Sequence, residues 1–279
     1  MESSKESPVF IDTENLAKLL ETDKDLKIFD CSQNIGLPDE QDPILTFHNL
    51  HIPRAQYIDL RYLRDMNSPY PSMAPPLELF KDNMKRLGVK LTSRVVVYDS
   101  KSGYLATRAF WLFRSFGILG VSALNGGLNK WVKEGRPTES TENIGTPDDY
   151  NFTFNAQNLA TFEQIIDLEK VHAEGGAKDT HVLDARPESV FANGHLKDGE
   201  SLFFKTLQNE DGTVKTPEQI KEILAHKSID ITTNKIVASC NAGTSATYLY
   251  AALQHAGCND LKVYDGSWQE YSQRKPKEQ

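Results

Sequence analysis

The chain has 279 residues, a formal net charge of −8 and three cysteines. That length is too great for most single hydrophobic cores and suits two domains of ordinary size. The acidic balance argues against nucleic acid as the principal partner. No apolar run approaches the roughly 20 residues that a membrane span needs, so we expect no membrane partner. Three widely spaced cysteines, an odd number, give no disulfide framework and fit a reducing compartment.

The first eight residues have no apolar core of the kind that a secretory signal needs. They also carry acidic side chains, which mitochondrial presequences avoid. We therefore expect a cytoplasmic protein, with a mitochondrial location as the alternative.

The first half alternates helices with strands. Leucines at positions 16, 19 and 20 predict a helix over 13–21, and a strand is predicted over 26–30. Residues 32–49 hold a glycine and two prolines and are predicted to form a long loop. Beyond it we predict helices over 77–87 and 104–116, each stopped by a glycine, a short helix over 128–133, and strands over 94–99 and 121–124.

The composition changes at residues 136–151, which are rich in Pro, Thr, Ser, Glu and Asp. We predict an N-terminal domain at 8–137, a linker at 138–152 and a C-terminal domain at 153–279. The order of elements recurs after the linker, with corresponding elements roughly 140–155 residues apart, as expected for duplicated domains. Alternating strands and helices predict an α/β fold in which each copy is a parallel sheet with helices on both faces.

The most informative stretch surrounds Cys240. An apolar strand over 236–239 ends at this cysteine, and a helical segment follows at 246–256. Successive N–H groups in such a turn form an anion-binding concavity, which stabilises a thiolate. A buried, inert cysteine is the ordinary alternative. However, no large side chain occupies the six positions after Cys240, and Gly243 permits a tight loop. The stretch therefore predicts a nucleophile, whereas the first half has Asp99 at the same place.

The motifs in this order resemble the two-domain rhodanese family of thiosulfate and 3-mercaptopyruvate sulfurtransferases. In the first half the resemblance rests on His51-Ile52-Pro53, Ser68-Pro69-Tyr70, Met73-Ala74-Pro75, Val97-Tyr98-Asp99 and Arg108-Ala109-Phe110-Trp111. In the second half it rests on Asp184-Ala185-Arg186, Gly194-His195, Cys240-Asn241-Ala242-Gly243 and Tyr264-Asp265-Gly266-Ser267-Trp268. The combination is highly specific, although each piece alone is weak.

The resemblance implies a site in the second domain and an inactive first copy. Cys240 would form a persulfide, Arg186 would bind the anionic end of the donor, and His51 of the first domain would line the cleft. An acidic residue would support His51, and the candidates are Asp39, Glu40 and Asp42. No metal or cofactor is implied, and the remaining substrate-binding residues would be Asn241, Ala242, Gly243, Thr244 and Ser245.

Each assignment has a structural alternative. Arg186 could instead pair with Asp184 or Glu188, and His51 could be a loop histidine satisfied by the backbone. The sequence also departs from the family, since Ala242 stands where the mercaptopyruvate branch usually has serine. The family often has a further arginine between the Asp184-Ala185-Arg186 motif and Gly194-His195, and this sequence lacks it. We hypothesise that Arg54, at a position where the family usually has glycine, replaces that charge.

The expected function is transfer of sulfur from a small anionic donor to cyanide or to a thiol acceptor such as thioredoxin. Because Asn241 and Ala242 leave the loop neutral, 3-mercaptopyruvate is favoured over the dianion thiosulfate. The alternative is a non-catalytic double-rhodanese binding or regulatory module. A cysteine phosphatase is disfavoured because Ala246 stands where that class needs arginine. A metal hydrolase is disfavoured because no ligand set accompanies His48 and His51.

Overall fold

The structure is a computed structural model, and it describes residues 6–34, 41–101, 103–141, 143, 145, 147 and 151–275. The chain divides into two compact units. Of the described residues, those within 1–64, 75–154 and 210–213 form the first unit, and those within 65–74, 155–209 and 214–279 form the second. No helix in the described ranges is long and apolar enough to cross a membrane.

The first unit is a five-stranded parallel sheet with helices. The strands lie in the order β1-β5-β4-β2-β3. In chain order its elements are β1 (Phe10–Ile11), α1 (Thr13–Thr22), β2 (Lys27–Asp30), α2 (Pro43–Asn49), β3 (Ala55–Tyr57), α3 (Leu77–Leu87), β4 (Val95–Tyr98), α4 (Tyr104–Ser115), β5 (Val121–Leu124) and α5 (Gly127–Lys133).

The second unit repeats this plan. Its strands lie in the order β6-β10-β9-β7-β8, which is the same arrangement position by position. Its elements are a 3-10 turn (Ala156–Asn158), β6 (Leu159–Ala160), α6 (Phe162–Ala173), β7 (Thr180–Asp184), α7 (Glu188–Phe191), β8 (Gly199–Ser201), a second 3-10 turn (Phe204–Leu207), α8 (Pro217–Ala225), β9 (Lys235–Ser239), α9 (Ala246–His255), β10 (Leu261–Tyr264) and α10 (Ser267–Arg274). The predicted fold of two tandem parallel α/β domains is confirmed.

The cores explain why the central strands are apolar throughout. All four residues of β4 are buried, as are four of the five residues of β9, because parallel strands are covered on both faces. Helix α4, with eleven of its twelve residues buried, follows β4 directly. Helix α9 follows β9 in the same way. Each central strand therefore ends in a loop that leads straight into a buried helix.

The predicted loop at 32–49 is wrong at its end, where α2 forms. The Asp42 side chain accepts a hydrogen bond from the Ile44 N–H at 2.8 Å, and Pro43 occupies the first helical turn. A capping aspartate followed by proline is a typical helix start. The glycine and prolines in the same stretch favoured a loop prediction over this signal.

The units also differ from the linear domain division. Residues 65–74 belong to the second unit although they lie within the predicted first domain, 8–137. Glu139, in the predicted linker, exchanges two backbone hydrogen bonds of 2.9 Å with His51. This part of the linker is therefore docked on the first unit.

Candidate active site

Cys240 lies at the point where β9 ends and the loop to α9 begins. It is buried, with 2% of its surface exposed. Gly243 has a φ of +80°, and a Cβ at that position would lie 2.3 Å from the Asp265 carbonyl oxygen. The loop therefore closes tightly through a glycine that no other residue could replace without strain. We call residues 240–245 the catalytic loop.

Ser267, the first residue of α10, holds the base of the catalytic loop. Its hydroxyl accepts hydrogen bonds from the N–H groups of Cys240, at 3.0 Å, and Gly243, at 3.1 Å. It donates to the Tyr264 carbonyl oxygen at 2.8 Å and lies 3.9 Å from the Cys240 Sγ. Ser267 adopts a φ of +51°, an unusual conformation for a residue with a side chain. The hydroxyl thus bridges two loop amides and contacts the sulfur.

Other amides of the catalytic loop point to no acceptor. Among the described residues, no hydrogen-bond partner is found for the N–H groups of Asn241, Ala242, Thr244 and Ser245, nor for that of Ala246, the first residue of α9. Several successive donors at the start of a helix form a concavity for an anion. None of these donors bonds to the thiol sulfur itself in the described part of the chain, so they are available to a group placed beyond it.

The first unit shows what such a loop binds. Asp99 occupies the place of Cys240, and its carboxylate accepts four backbone N–H groups at distances of 2.9–3.1 Å. The donors are Lys101, Gly103, Leu105 and Ala106. The two loops also make the same main-chain contact. The Leu128 N–H donates to the main-chain carbonyl oxygen of Asp99, and the Trp268 N–H donates to that of Cys240. The loop of this fold is therefore built to hold an anion.

The Asp99 carboxylate and a cysteine persulfide place their outer atoms at the same number of bonds from the backbone. A carboxylate oxygen of Asp99 is two bonds from its Cβ, as is the outer sulfur of a cysteine persulfide. The Asp99 carboxylate thus occupies, in the first unit, the region that a persulfide on Cys240 would occupy in the second.

Arg186 follows β7, the strand that pairs with β9, and its guanidinium is already engaged. It makes a bidentate pair with Asp184, with Nε at 2.9 Å and Nη2 at 2.6 Å, and also donates to the Gly194 oxygen at 2.8 Å. The ring of Trp268 lies 5.6 Å from the guanidinium carbon. The structural alternative for Arg186 is therefore realised, and Nη1 is its one nitrogen with no partner among the described residues.

His51 lies in the first unit with its ring buried. The ring has no exposed surface and stacks on Phe47 at 4.2 Å. Its Nδ1 lies 2.7 Å from the Phe47 oxygen and its Nε2 lies 3.2 Å from the Thr141 oxygen, both in the first unit. The structure thus shows the alternative given above for His51, because a backbone carbonyl lies against each ring nitrogen, and its place in a cleft stays a prediction.

Two further candidates have structural roles. Asp42 caps α2, whereas Asp39 and Glu40 lie outside the described residues. Arg54 has a φ of +67°, the region that favours glycine. Its guanidinium closes the end of α1 and the turn after it by donating to the main-chain oxygens of Leu20, Asp23, Lys24 and Leu26. These four carbonyls give Arg54 a structural role, and the hypothesis that it supplies a cation to the site stays a prediction.

Sequence reasoning missed three residues that contact the catalytic loop. Ser267 and Asp265 lie in a motif quoted above, but nothing in their spacing indicated which loop they would meet. Ser72, whose hydroxyl lies 3.3 Å from that of Thr244, gave no signal because it is distant in sequence.

Comparison with known proteins identifies the family. The model of the rhodanese-like domain matches residues 12–134 and 167–274. The chain belongs to the rhodanese family, with two such domains.

Among its relatives is the thiosulfate sulfurtransferase of Gallus gallus, 35% identical over 86% of this chain and 84% of the relative. The 3-mercaptopyruvate sulfurtransferase of Homo sapiens is 30% identical over 82% of this chain and 79% of the relative. Among solved structures, the 3-mercaptopyruvate sulfotransferase SseA of Escherichia coli superimposes with a TM-score of 0.84 at 26% identity. That match covers 94% of this chain and 99% of the other. The family is therefore one of sulfurtransferases, and its relatives include enzymes named for both donors.

Proposed function

We propose that this protein transfers a sulfur atom through a persulfide on Cys240, taking it from 3-mercaptopyruvate in preference to thiosulfate. The main support for this proposal is the correspondence between the loop at Asp99 and the loop at Cys240. One binds a carboxylate through four amides, and the other presents a thiol below amides that have no acceptor among the described residues.

The first half-reaction follows from this geometry. The Cys240 thiolate attacks the donor sulfur, so that an S–S bond forms and the carbon–sulfur bond of mercaptopyruvate breaks. The electron pair leaves on the enolate of pyruvate, which takes up the S–H proton of the donor, so that the persulfide on Cys240 is left as an anion. The loop amides then stabilise the negative outer sulfur as their counterparts stabilise the Asp99 carboxylate.

The second half-reaction regenerates the thiolate. A small thiolate acceptor, or the thiolate of a protein such as thioredoxin, attacks the outer sulfur. A new S–S bond forms on the acceptor, and the electron pair of the broken bond returns to Cys240. Cyanide would react at the same sulfur to give thiocyanate.

The donor preference rests on charge. The side chains of the catalytic loop are uncharged, and the guanidinium of Arg186 is largely engaged by Asp184. A dianion such as thiosulfate would need more cationic compensation than the single carboxylate of mercaptopyruvate. The unengaged Nη1 of Arg186 is the group that we propose for that carboxylate.

The test is persulfide formation followed by intact mass. Treatment with 3-mercaptopyruvate should add about 32 Da, the mass of one sulfur. The Cys240→Ser variant should gain nothing, whereas the matched control Cys258→Ser should gain as the wild type does. A side-by-side assay with thiosulfate then decides the donor, since equal or faster turnover of thiosulfate would refute the preference.

A second function is a non-catalytic binding or regulatory module. It is favoured by two observations, the burial of His51 and the pairing of Arg186 with Asp184. Absence of a mass gain on Cys240 with either donor would support this function in place of sulfur transfer.

A further inference from the structure

The segment Asp65–Ala74 lies in the first half of the sequence but packs within the second unit. It is closed on itself, because the Asp65 N–H donates to the Met73 oxygen at 2.9 Å. Within it, the Ser68 hydroxyl accepts a hydrogen bond from the Tyr70 N–H at 3.1 Å. Hydrogen bonds within the segment therefore hold it as a closed loop.

Its far end contacts the catalytic loop through two hydrogen bonds. The Thr244 hydroxyl donates to the Ser72 hydroxyl at 3.3 Å. The Ala74 N–H donates to Oδ2 of Asp265 at 2.6 Å, and the Asp265 carboxylate, which is 1% exposed, packs against Gly243. Both contacts therefore reach neighbouring residues of the catalytic loop, one directly and one through a buried carboxylate.

The residue at the position of Thr244 in the first unit is part of the anion-binding loop. There Gly103 holds the equivalent position, and its N–H donates to the Asp99 carboxylate at 2.9 Å. In the first unit the bound carboxylate itself keeps the loop amides aligned. The catalytic loop has no built-in carboxylate at Cys240, so the contacts of Thr244 itself hold its amide in place between turnovers. Its carbonyl oxygen accepts from the Thr247 hydroxyl at 2.6 Å, and its side chain is held by Ser72.

We propose that Ser72 is a positioning residue for sulfur transfer, since its hydroxyl fixes Thr244 and thereby keeps the loop amides directed at the sulfur bound to Cys240. The inference rests on the proposed function and deepens it. Ser72 does not enter the reaction, and its effect passes through the alignment of the loop.

The experiment compares Ser72→Ala with two matched variants. Ser72→Thr keeps a hydroxyl at the position, and Ser68→Ala removes a hydroxyl from the same segment that does not contact the catalytic loop in the structure. The first readout is the pH dependence of alkylation of Cys240 by iodoacetamide, followed by peptide mass. The second is kcat and KM for 3-mercaptopyruvate.

Loss of one neutral hydrogen bond of this kind predicts a three- to tenfold fall, roughly, in kcat for Ser72→Ala at neutral pH, with little change in KM. The alkylation profile should move to higher pH, because misaligned N–H dipoles of the loop give a weaker positive potential at the thiolate, although in the described part of the chain none of them bonds to the sulfur directly. Ser72→Thr should restore both, and Ser68→Ala should match the wild type. Thr244→Val removes the other partner and should give the same shift, with no further effect when combined with Ser72→Ala.

An unchanged alkylation profile in Ser72→Ala and Thr244→Val overturns the positioning role. The two proposals fail separately. If the wild type transfers no sulfur but the alkylation profile shifts as expected, sulfur transfer is refuted while the alignment of the loop by Ser72 stands.

Discussion

Replacing Asp99 by asparagine tests whether the loop of this fold is an anion site. The substitution keeps the shape of the side chain and removes its charge. The carboxylate accepts two N–H groups on each oxygen, from Lys101 and Gly103 on one and from Leu105 and Ala106 on the other. An asparagine amide would present an NH₂ group to one of these pairs, whichever way it is turned, so one acceptor oxygen and its two hydrogen bonds are lost and donors face donors.

The magnitude follows from these contacts. Hydrogen bonds to a charged group contribute about 1.5–3 kcal/mol each, and neighbouring ones do not add fully. Loss of two of them in a buried site predicts a fall of about 3–5 kcal/mol in the free energy of unfolding of the first unit. A matched control is Asp59→Asn, which disrupts a more exposed pair with Arg61 and should cost under about 1 kcal/mol.

Urea unfolding followed by tryptophan emission measures the effect, because Trp111 and Trp131 are both buried in the first unit. The midpoint should fall while the slope stays constant. A cost for Asp99→Asn no larger than that of Asp59→Asn would refute the reasoning, because the four amides would then contribute nothing to binding a negative charge.

Burial raises the pKa of Asp30 to about 6. The native state therefore holds its proton more tightly than the unfolded chain does, and stability falls as pH rises between about 4 and 6. Asp30→Asn should consequently gain on the order of 2–3 kcal/mol relative to the wild type from pH 4 to pH 7, and parallel pH curves from urea unfolding would contradict this. Ser267→Gly removes the acceptor of two loop amides, so turnover should fall at least about tenfold. The melting temperature should also fall, although glycine suits the positive φ and offsets part of the loss. Retained turnover would contradict the role given to the hydroxyl. Arg54→Ala should lower the free energy of unfolding by about 2–4 kcal/mol because four carbonyls lose their donor, and a raised KM for the donor would instead place Arg54 in the site.

The fold was predictable because its signals are local. Buried runs at 95–98 and 236–239 mark the central strands, and each precedes a helix whose apolar residues recur at short spacing. The turn at Cys240 was also predictable, since small residues and one glycine leave few other conformations for it.

The partners of the site residues were not predictable in the same way. His51 and Arg54 sit in a motif whose pattern suggests function, yet main-chain carbonyls contact both side chains, and most of these carbonyls lie 28 to 90 positions away in sequence. No periodicity reveals which carbonyl a side chain will meet. The same limit applies to Ser72 and Thr244, which are 172 positions apart.

The membership of residues 65–74 in the second unit has a practical consequence for dissecting the chain. A fragment cut at the linker and starting near residue 153 would contain Cys240 but would leave behind the hydroxyl of Ser72 and the amide of Ala74. In such a fragment, water would take the place of Ala74 at Asp265 and of Ser72 at Thr244. The chain segments of the two copies thus alternate along the sequence, and a fragment that keeps every contact of the loop around Cys240 must include residues 65–74.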